Sequence, residues 1–190
     1  IKAPHTKGVA AEFTGMFDIF NKEKRMYVEL LPRMYETINH QFGPSYLPCS
    51  KENVLVLLDM KEEGYEMAKR HQQLDFYHCA FVLSTIAKYH ASSVSILKKD
   101  PTFIKNIGRE LVYSNENPLG QQMKGWAEPI LNIVAEILRK MDGCEKFGEL
   151  LSSKRDVWEY LVESFKVRED RLNVLNHGDF WVNNMLFKYN

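Results

Sequence analysis

A short segment near the end of the sequence carries an acidic side chain and an amide at a spacing that suits phosphoryl transfer. Asp179 follows Gly178 in a predicted turn between short predicted strands at residues 174–175 and 185–187, and Asn184 comes five positions later. A carboxylate can accept or orient the proton of an attacking hydroxyl, and an amide oxygen can help to hold the Mg²⁺ that bridges nucleotide phosphates. Kinase catalytic loops place Asp and Asn at this separation. The alternative is a β-hairpin loop in which Asp179 caps the turn and Asn184 bonds locally.

A second candidate pair is Glu23 with Lys2. Glu23 lies three residues after Phe20 and four before Tyr27, so it falls on the apolar stripe of a predicted helix. A carboxylate that faces a core needs a partner, and Lys2, in the tail of a predicted strand, is the candidate. Kinases use such a helical Glu to hold the Lys that contacts the nucleotide phosphates. The alternatives are an exposed Glu23 and a frayed, terminal Lys2.

The elements that must position these residues follow an α+β order, with early strands, central helices and a late hairpin. Residues 5–15 are predicted to form a loop, and a helix pattern begins at Met16. Pro32 should end or kink that helix, or start a second one. Residues 53–58 are the best predicted strand, because they form a nearly continuous apolar run.

The central helices are predicted from periodicity and from capping residues. Asn117 as N-cap and Pro118 as the first helical residue should begin one helix, and residues 153–156 resemble a capping box for another. A long helix from Phe76 is predicted to bury one apolar face. That face consists of Phe76, Cys79, Ala80, Leu83, Ile86, Ala87 and His90.

Composition excludes several classes of protein. The 190 residues contain 25 basic and 25 acidic side chains, which argues against binding nucleic acid or an anionic membrane by bulk charge. No apolar run approaches the roughly 18 residues that a membrane-spanning helix needs. The three cysteines are too few and too widely spaced for a disulfide framework or a zinc site, so a reducing, cytoplasmic location is predicted.

These segments together resemble the ecdysteroid kinase-like family of insects, within the choline- and aminoglycoside-kinase-like group. The loop reads His177-Gly178-Asp179-Phe180-Trp181-Val182-Asn183-Asn184, and its Trp separates it from the Arg-containing loop of protein kinases. Residues 1–4 fit the end of the strand that carries the phosphate-binding Lys. Three further segments match in order: the Phe-x-x-Glu-x-x-x-Tyr helix at 20–27, the strand-to-hinge segment at 55–65, and the Leu-x-x-Leu-Ala-x-Phe-His-Ala-x-Ser helix at 83–93.

The resemblance implies a role for each member of the two pairs. Asp179 would accept the proton of the substrate hydroxyl, and Asn184 would bind Mg²⁺. Lys2, held by Glu23, would contact the phosphates of ATP. The implied cofactors are therefore ATP and Mg²⁺.

The resemblance also implies a hinge and two residues that orient the loop. Asp59 and Met60 would lie at the hinge, where backbone groups can bond an adenine. The family commonly has Glu where this chain has Leu58, and the alternative for Asp59 is that it caps the following turn. His177 and Trp181 would orient the loop, since no paired-His spacing suggests that His177 binds a metal.

A protein-kinase-like fold follows from the resemblance, with an incomplete N-lobe at residues 1–60 and a partial, mainly helical C-lobe at 61–190. The chain resembles a fragment that starts after the glycine-bearing loop and ends before the metal-binding Asp of such kinases, so it should itself be poorly active or inactive. The activity that the resemblance implies is phosphorylation of a small-molecule hydroxyl, on an ecdysteroid or another hydroxylated lipophilic compound. The alternatives are a pseudokinase-like module that binds a ligand without transfer, and a choline- or aminoglycoside-type kinase with a polar acceptor. Oligomeric state is left open.

Overall fold

The computed structural model describes residues 1–153 and 157–189. None of the helices in these residues is long and apolar enough to cross a membrane. The helices are α1 (Gly8–Met16), α2 (Ile19–Arg25), α3 (Leu31–Ile38), α4 (Phe76–Lys99), α5 (Pro101–Ile107), α6 (Pro118–Arg139), α7 (Glu145–Ser153) and α8 (Val157–Phe165). The strands are β1 (Tyr46–Leu47), β2 (Val56–Leu57), β3 (Tyr65–Met67) and β4 (Leu186–Lys188).

The chain divides into two compact units. The first contains Ile1–Gly108 together with the segment from Asn173 onward, and the second is the continuous stretch Arg109–Leu172. The predicted α+β class is confirmed by the combination of many helices with small sheets. The predicted lobes at residues 1–60 and 61–190 follow a different boundary from these units and stay a prediction.

The core of the first unit forms where the helices α3, α4 and α5 meet. Six buried side chains from these helices and from the turn before α3 pack together in one cluster, with Leu175 packed against it. The buried members are Leu30, Met34, Tyr89, Ile96, Ile104 and Ile107. Because Leu175 lies four residues before Asp179, the core reaches the predicted catalytic loop.

The region before α3 differs from the predicted loop and single helix. The prediction of a loop at residues 5–15 was wrong, because α1 starts at Gly8 and contains the helix-forming run Ala10-Ala11-Glu12. No residue of α1 is buried, so the segment carries no amphipathic pattern to reveal it. Pro32 starts a second helix, since a π-helical turn at Met26–Leu30 leads into α3 with this proline in its first turn.

The strands are short and form two separate pairs. The predicted strand at 53–58 is observed only in part, as β2, which pairs antiparallel with β1, and as an isolated bridge between Leu55 and Lys2. In that bridge the Lys2 N–H donates to the Leu55 carbonyl at 2.8 Å, and the Leu55 N–H donates back at 2.9 Å. Leu55 is fully buried, so the bridge ties the backbone of Lys2 to a buried residue.

The predicted late hairpin was wrong. Strand β4 exists, but it pairs antiparallel with β3, and residues 174–175 are not a strand. The physical reason is that the Leu175 N–H donates to the Ser93 hydroxyl of α4 at 3.1 Å, while its side chain packs on the core. These contacts hold Leu175 on a helix and leave β4 free to pair with β3.

The predicted buried face of α4 was also wrong over the first half of the helix. Phe76 and Leu83 are 79% and 63% exposed, whereas Tyr89, Ser93 and Ile96 are buried. Aromatic and apolar residues occupy several faces of this half, so the periodicity did not define one stripe. Packing against α3 and α5 decides which face is buried.

The second unit is helical. As predicted, Asn117 caps α6, because its Oδ1 accepts the Gly120 N–H at 2.9 Å, and Pro118 is the first helical residue. Trp158 of α8 is 1% exposed, and its Nε1 donates to Asn115 Oδ1 at 2.7 Å. The capping box predicted at residues 153–156 falls mostly outside the described residues, because only Ser153, the last residue of α7, is described.

Candidate active site

The segment between Leu175 and β4 brings Asp179 and Asn184 into direct contact. The Asn184 Nδ2 donates to the Asp179 Oδ2 at 2.8 Å and to its backbone carbonyl at 2.9 Å. A short 3₁₀ turn at Val182–Asn184 folds the chain back, and the Asn184 N–H bonds the Trp181 carbonyl at 2.9 Å. The amide nitrogen must face the carboxylate because oxygen cannot donate, so the Asn184 Oδ1 points elsewhere.

The backbone before Asp179 makes a sharp turn that suits glycine. Gly178 has a φ of +84°, a conformation that residues with a Cβ rarely adopt, although no atom would obstruct a Cβ there. The Asp179 N–H then donates to the His177 Nδ1 at 3.3 Å. In the neutral imidazole this bond leaves the proton on Nε2. His177 therefore contacts the backbone of the turn, at the position expected of a loop-orienting residue.

Phe180 and Trp181, which follow Asp179 in the sequence, carry partly exposed aromatic rings. The Arg70 guanidinium lies over the Trp181 ring, 5.4 Å from its centroid, and the Phe180 ring lies 5.6 Å from that of His177. The two aromatic side chains are 42% and 45% exposed. Two half-exposed aromatic rings therefore belong to the residues directly after Asp179.

Lys2 and Glu23 form an ion pair through the Lys2 Nζ and the Glu23 Oε1. Lys2 is not frayed, because its backbone is paired with Leu55, and Glu23 is not an unpaired residue of an exposed face. The side chains are 52% and 31% exposed, and ion pairs at such exposure contribute only about 0–1 kcal/mol to stability. Burial raises the pKa of the neighbouring Tyr27 phenol, with the Lys2 charge opposing that shift.

Asp59 and Met60, the predicted hinge residues, follow β2. The Asp59 Oδ1 accepts the Lys61 N–H at 2.9 Å, which is the turn-capping contact of the alternative interpretation. The Met60 carbonyl accepts the Tyr65 N–H at 2.9 Å. The Met60 N–H has no partner among the described residues, so the backbone retains a donor for a ligand.

The oxygen atoms of this segment suit a Mg²⁺ ion that is bound partly by the protein and partly by a nucleotide. They do not suit a metal ion that is bound by protein side chains alone. No cluster of three or more His, Cys, Asp or Glu side chains occurs within residues 1–153 and 157–189. Mg²⁺ commonly takes one or two protein oxygens and completes its octahedron with water and phosphate oxygens. The Asn184 Oδ1, turned away from Asp179, is a suitable protein oxygen.

The sequence did not reveal three side chains that contact this segment. Arg70 stacks on Trp181, Ser93 bonds Leu175, and His78 bonds Tyr189 just after β4. Ser93 is the last residue of the Leu-x-x-Leu-Ala-x-Phe-His-Ala-x-Ser pattern. That pattern indicated the family resemblance, but it did not predict the contact with Leu175. Arg70 and His78 carried no signal, because their partners lie more than one hundred positions away.

Comparison with known proteins agrees with the resemblance of the loop and the helices. The model of the ecdysteroid kinase-like family matches residues 1–190, the whole of this sequence. Searches of curated proteins and of solved structures gave no match. On the family match over its entire length, the chain belongs to the ecdysteroid kinase-like family.

Proposed function

We propose that the protein transfers the γ-phosphoryl group of ATP to a hydroxyl of a small molecule. Membership of the ecdysteroid kinase-like family supports kinase-like phosphotransfer in general. The observation that carries the proposal is the contact between Asp179 and Asn184, which joins the carboxylate and the amide that this chemistry requires.

Asp179 is the proposed base. Its Oδ2 is occupied by the Asn184 amide, and its Oδ1 has no hydrogen-bond partner in the described part of the chain. Oδ1 can therefore accept the hydrogen bond of an acceptor hydroxyl and orient its oxygen for attack. The side chain is exposed, so a substrate can reach it without a rearrangement of the fold.

Asn184 is the proposed magnesium ligand, through the Oδ1 that its contact with Asp179 turns outward. When bound, Mg²⁺ would neutralise negative charge on the transferring phosphate. The same amide thus has two tasks, because its nitrogen holds the base and its oxygen is left for the cation.

Lys2 and Glu23 form the proposed phosphate contact. The pair is partly exposed and adds little to the free energy of folding. Its proposed role is to hold the Lys2 ammonium group in place for the phosphates. Asp59 and Met60 form the proposed hinge. The free N–H of Met60 supports a backbone bond to the adenine, whereas the Asp59 carboxylate is engaged with Lys61.

The proposed acceptor is an ecdysteroid or another lipophilic alcohol. Phe180 and Trp181 support it, since their half-exposed rings lie next to the proposed base in the sequence and can pack on an apolar acceptor. A strongly polar acceptor such as an aminoglycoside would gain less from these rings. The proposal includes a cytoplasmic location, which the free thiols of Cys49, Cys79 and Cys144 support.

The test is phosphate transfer from labelled ATP to ecdysteroid-like alcohols by the protein in its full natural length. Asp179→Asn removes the base and keeps the shape, and we expect a loss of roughly 10²–10⁴-fold in kcat. The matched control is Asp142→Asn, an exposed aspartate in the turn after α6, which should retain activity. Equal transfer by both variants would overturn the role of Asp179. Binding of ATP or of an acceptor by the wild type without any transfer would favour the ligand-binding module.

A further inference from the structure

We infer that helix α4 positions the catalytic loop by holding it at both ends, through Ser93 before the loop and His78 after it. The catalytic meaning of this inference rests on the proposed function, but the two attachments do not. Each attachment consists of side-chain hydrogen bonds between α4 and a segment that flanks Asp179 and Asn184.

The first attachment is the Ser93 hydroxyl. Ser93 is 1% exposed, its Oγ donates to the His90 carbonyl at 2.7 Å, and the same oxygen accepts the Leu175 N–H at 3.1 Å. The neighbouring Ser92 is equally buried, but its Oγ only donates to the Tyr89 carbonyl, at 2.8 Å. Both serines satisfy a bond within the helix, and Ser93 alone of the two also holds the incoming loop.

Leu175 is fixed by more than this hydrogen bond. Its side chain packs against the core cluster. It also lies so close to Gly108 that a Cβ added to that glycine would be 2.6 Å from the Leu175 Cδ1. Two residues later the His177 ring lies 6.5 Å from that of Tyr89, also on α4. The start of the loop is therefore seated on the buried half of the helix.

The second attachment is a chain of three side chains, Asp75, His78 and Tyr189. The His78 Nδ1 lies 2.7 Å from the Asp75 Oδ1, and the His78 Nε2 lies 2.9 Å from the Tyr189 hydroxyl. Because a carboxylate only accepts, Nδ1 carries a proton, and in the neutral ring Nε2 then accepts the Tyr189 O–H. The Phe187 ring of β4 packs edge-on against His78 at 4.7 Å.

These attachments set the positions of Asp179 and Asn184 relative to one rigid element. His78 and Ser93 are fifteen residues apart on α4, which corresponds to about 22 Å along the helix axis. The loop runs between them and carries both proposed catalytic side chains. A displacement of about 1 Å at a catalytic group can cost on the order of 10²-fold in rate, so loosening either end should lower kcat.

The Ser93 attachment is tested by comparing Ser93→Ala with Ser92→Ala in the 190-residue chain. Both variants lose one buried hydroxyl and one bond to a helix carbonyl, but only Ser93→Ala loses the Leu175 bond. We expect amide hydrogen exchange in residues 174–181 to speed up at least tenfold in Ser93→Ala and to stay at the wild-type rate in Ser92→Ala. Equal exchange in the two variants would overturn the inference for Ser93.

The His78 attachment is tested with Tyr189→Phe, which deletes only the hydroxyl. The control is Tyr77→Phe on the same helix, whose side chain is 72% exposed. Faster exchange in residues 184–189 is expected for Tyr189→Phe alone. His78→Gln can still bond Tyr189, so it should retain more protection from amide exchange in residues 184–189 than His78→Phe. If the Tyr189 variant and its control exchange alike, His78 does not anchor the loop.

Kinetics of the full-length protein separate this inference from the proposed function. If both hold, Ser93→Ala lowers kcat while the KM for ATP changes less than twofold, and Ser92→Ala leaves kcat unchanged. If the wild type transfers no phosphate but the exchange results stand, the anchoring is correct and the proposed function is wrong. If transfer occurs and Ser93→Ala loosens the loop without lowering kcat, the positioning role is wrong and the proposed function survives.

Discussion

At the scale of single residues, the Tyr89 hydroxyl is a buried polar group without a partner. Tyr89 is 4% exposed, and no hydrogen bond to its hydroxyl is found among the described residues. Burial raises the pKa of this phenol well above its usual range. A buried hydroxyl that loses its bonds to water costs about 1–3 kcal/mol.

Tyr89→Phe should therefore stabilise the protein. The change removes the unpaired hydroxyl and keeps the ring that packs edge-on against Phe42. We expect the free energy of unfolding in urea to rise by about 1 kcal/mol. Tyr35→Phe is the control, because its side chain is half exposed and its hydroxyl is solvated, and it should be neutral.

Alkaline pH gives a second readout of the same substitution. Since the folded protein raises the pKa of Tyr89 above the unfolded value near 10, unfolding releases a proton at high pH, and stability is lost as pH rises above that value. Tyr89→Phe should reduce this loss. A destabilised variant would show that the hydroxyl is hydrogen-bonded, for example to a buried water. An unchanged alkaline slope would show that folding does not raise the pKa of Tyr89.

At the scale of elements, the junction of α4 and α5 depends on one carboxylate. Asp100 caps α5 by accepting the Phe103 N–H at 3.0 Å, and its other oxygen accepts from the Arg33 Nη1 at 3.0 Å. Arg33 also lies over the Phe103 ring, 3.9 Å from the centroid. The Phe103 N–H, followed by Arg33, lowers the pKa of Asp100.

Acid should weaken this junction. A carboxyl group whose pKa is lower in the folded state stabilises it above the unfolded value, and the contribution is lost as pH falls through the folded value. Asp100→Asn keeps an N-cap but cannot titrate, so its melting temperature should fall less than that of the wild type between pH 5 and pH 2. Asp142→Asn, outside any cap, should follow the wild type. Parallel curves for the Asp100 variant and the wild type would contradict the prediction.

The pairing of α6 with α7 requires a glycine at position 148. A Cβ on Gly148 would lie 2.6 Å from the backbone nitrogen of Arg139 and 2.7 Å from the Ala135 carbonyl, both on α6. Gly148→Ala should therefore cost about 1–3 kcal/mol, because backbone atoms would have to move. Gly125 of α6 has nothing within 4 Å of its Cβ position, so Gly125→Ala should stabilise by up to about 1 kcal/mol.

Chemical denaturation of the two alanine variants checks this contrast. The two substitutions are chemically identical and both lie in helices of the second unit, so helix propensity alone predicts the same sign for both. Opposite signs support the close approach at Gly148. Stabilisation by both would mean that α7 can move away from α6 at little cost.

Local signals in the sequence predicted local structure well. Asn117 and Pro118 were sufficient to predict the start of α6, because an N-cap acts within one turn. The Asp179 and Asn184 spacing likewise identified two side chains that the structure brings into contact. The sequence did not reveal the pairing of distant segments. Residues 174–175 were therefore predicted to be the partner of β4, which in fact pairs with β3.

The buried face of α4 shows why contacts between distant elements were not predicted. Its first half has apolar side chains on several faces, and the face that is buried depends on α3 and α5, which no local pattern encodes. The Ser93 contact is similar, since Ser93 and Leu175 are 82 positions apart. A hydroxyl can bond many partners, and only the folded chain selects the Leu175 N–H.

At the scale of the whole molecule, the sequence has no net charge, and helix α4 exposes several aromatic side chains. The sequence has equal numbers of acidic and basic residues. Phe76, Tyr77 and Phe81, all in the first half of α4, are each more than 70% exposed. Charge repulsion keeps protein molecules apart, and near neutral pH this chain has little of it to oppose association through apolar surface.

The solubility of the 190-residue chain should therefore pass through a minimum near pH 7 and rise on either side. Phe81→Lys adds one positive charge and removes an exposed ring, so it should raise solubility at pH 7. Ser84→Lys adds the same charge at an exposed position on the same helix and removes no apolar surface. If α4 contributes through its rings, Phe81→Lys gives the larger increase in precipitation assays. If the two variants behave alike, net charge alone controls association, and the exposed half of α4 makes no adhesive contact.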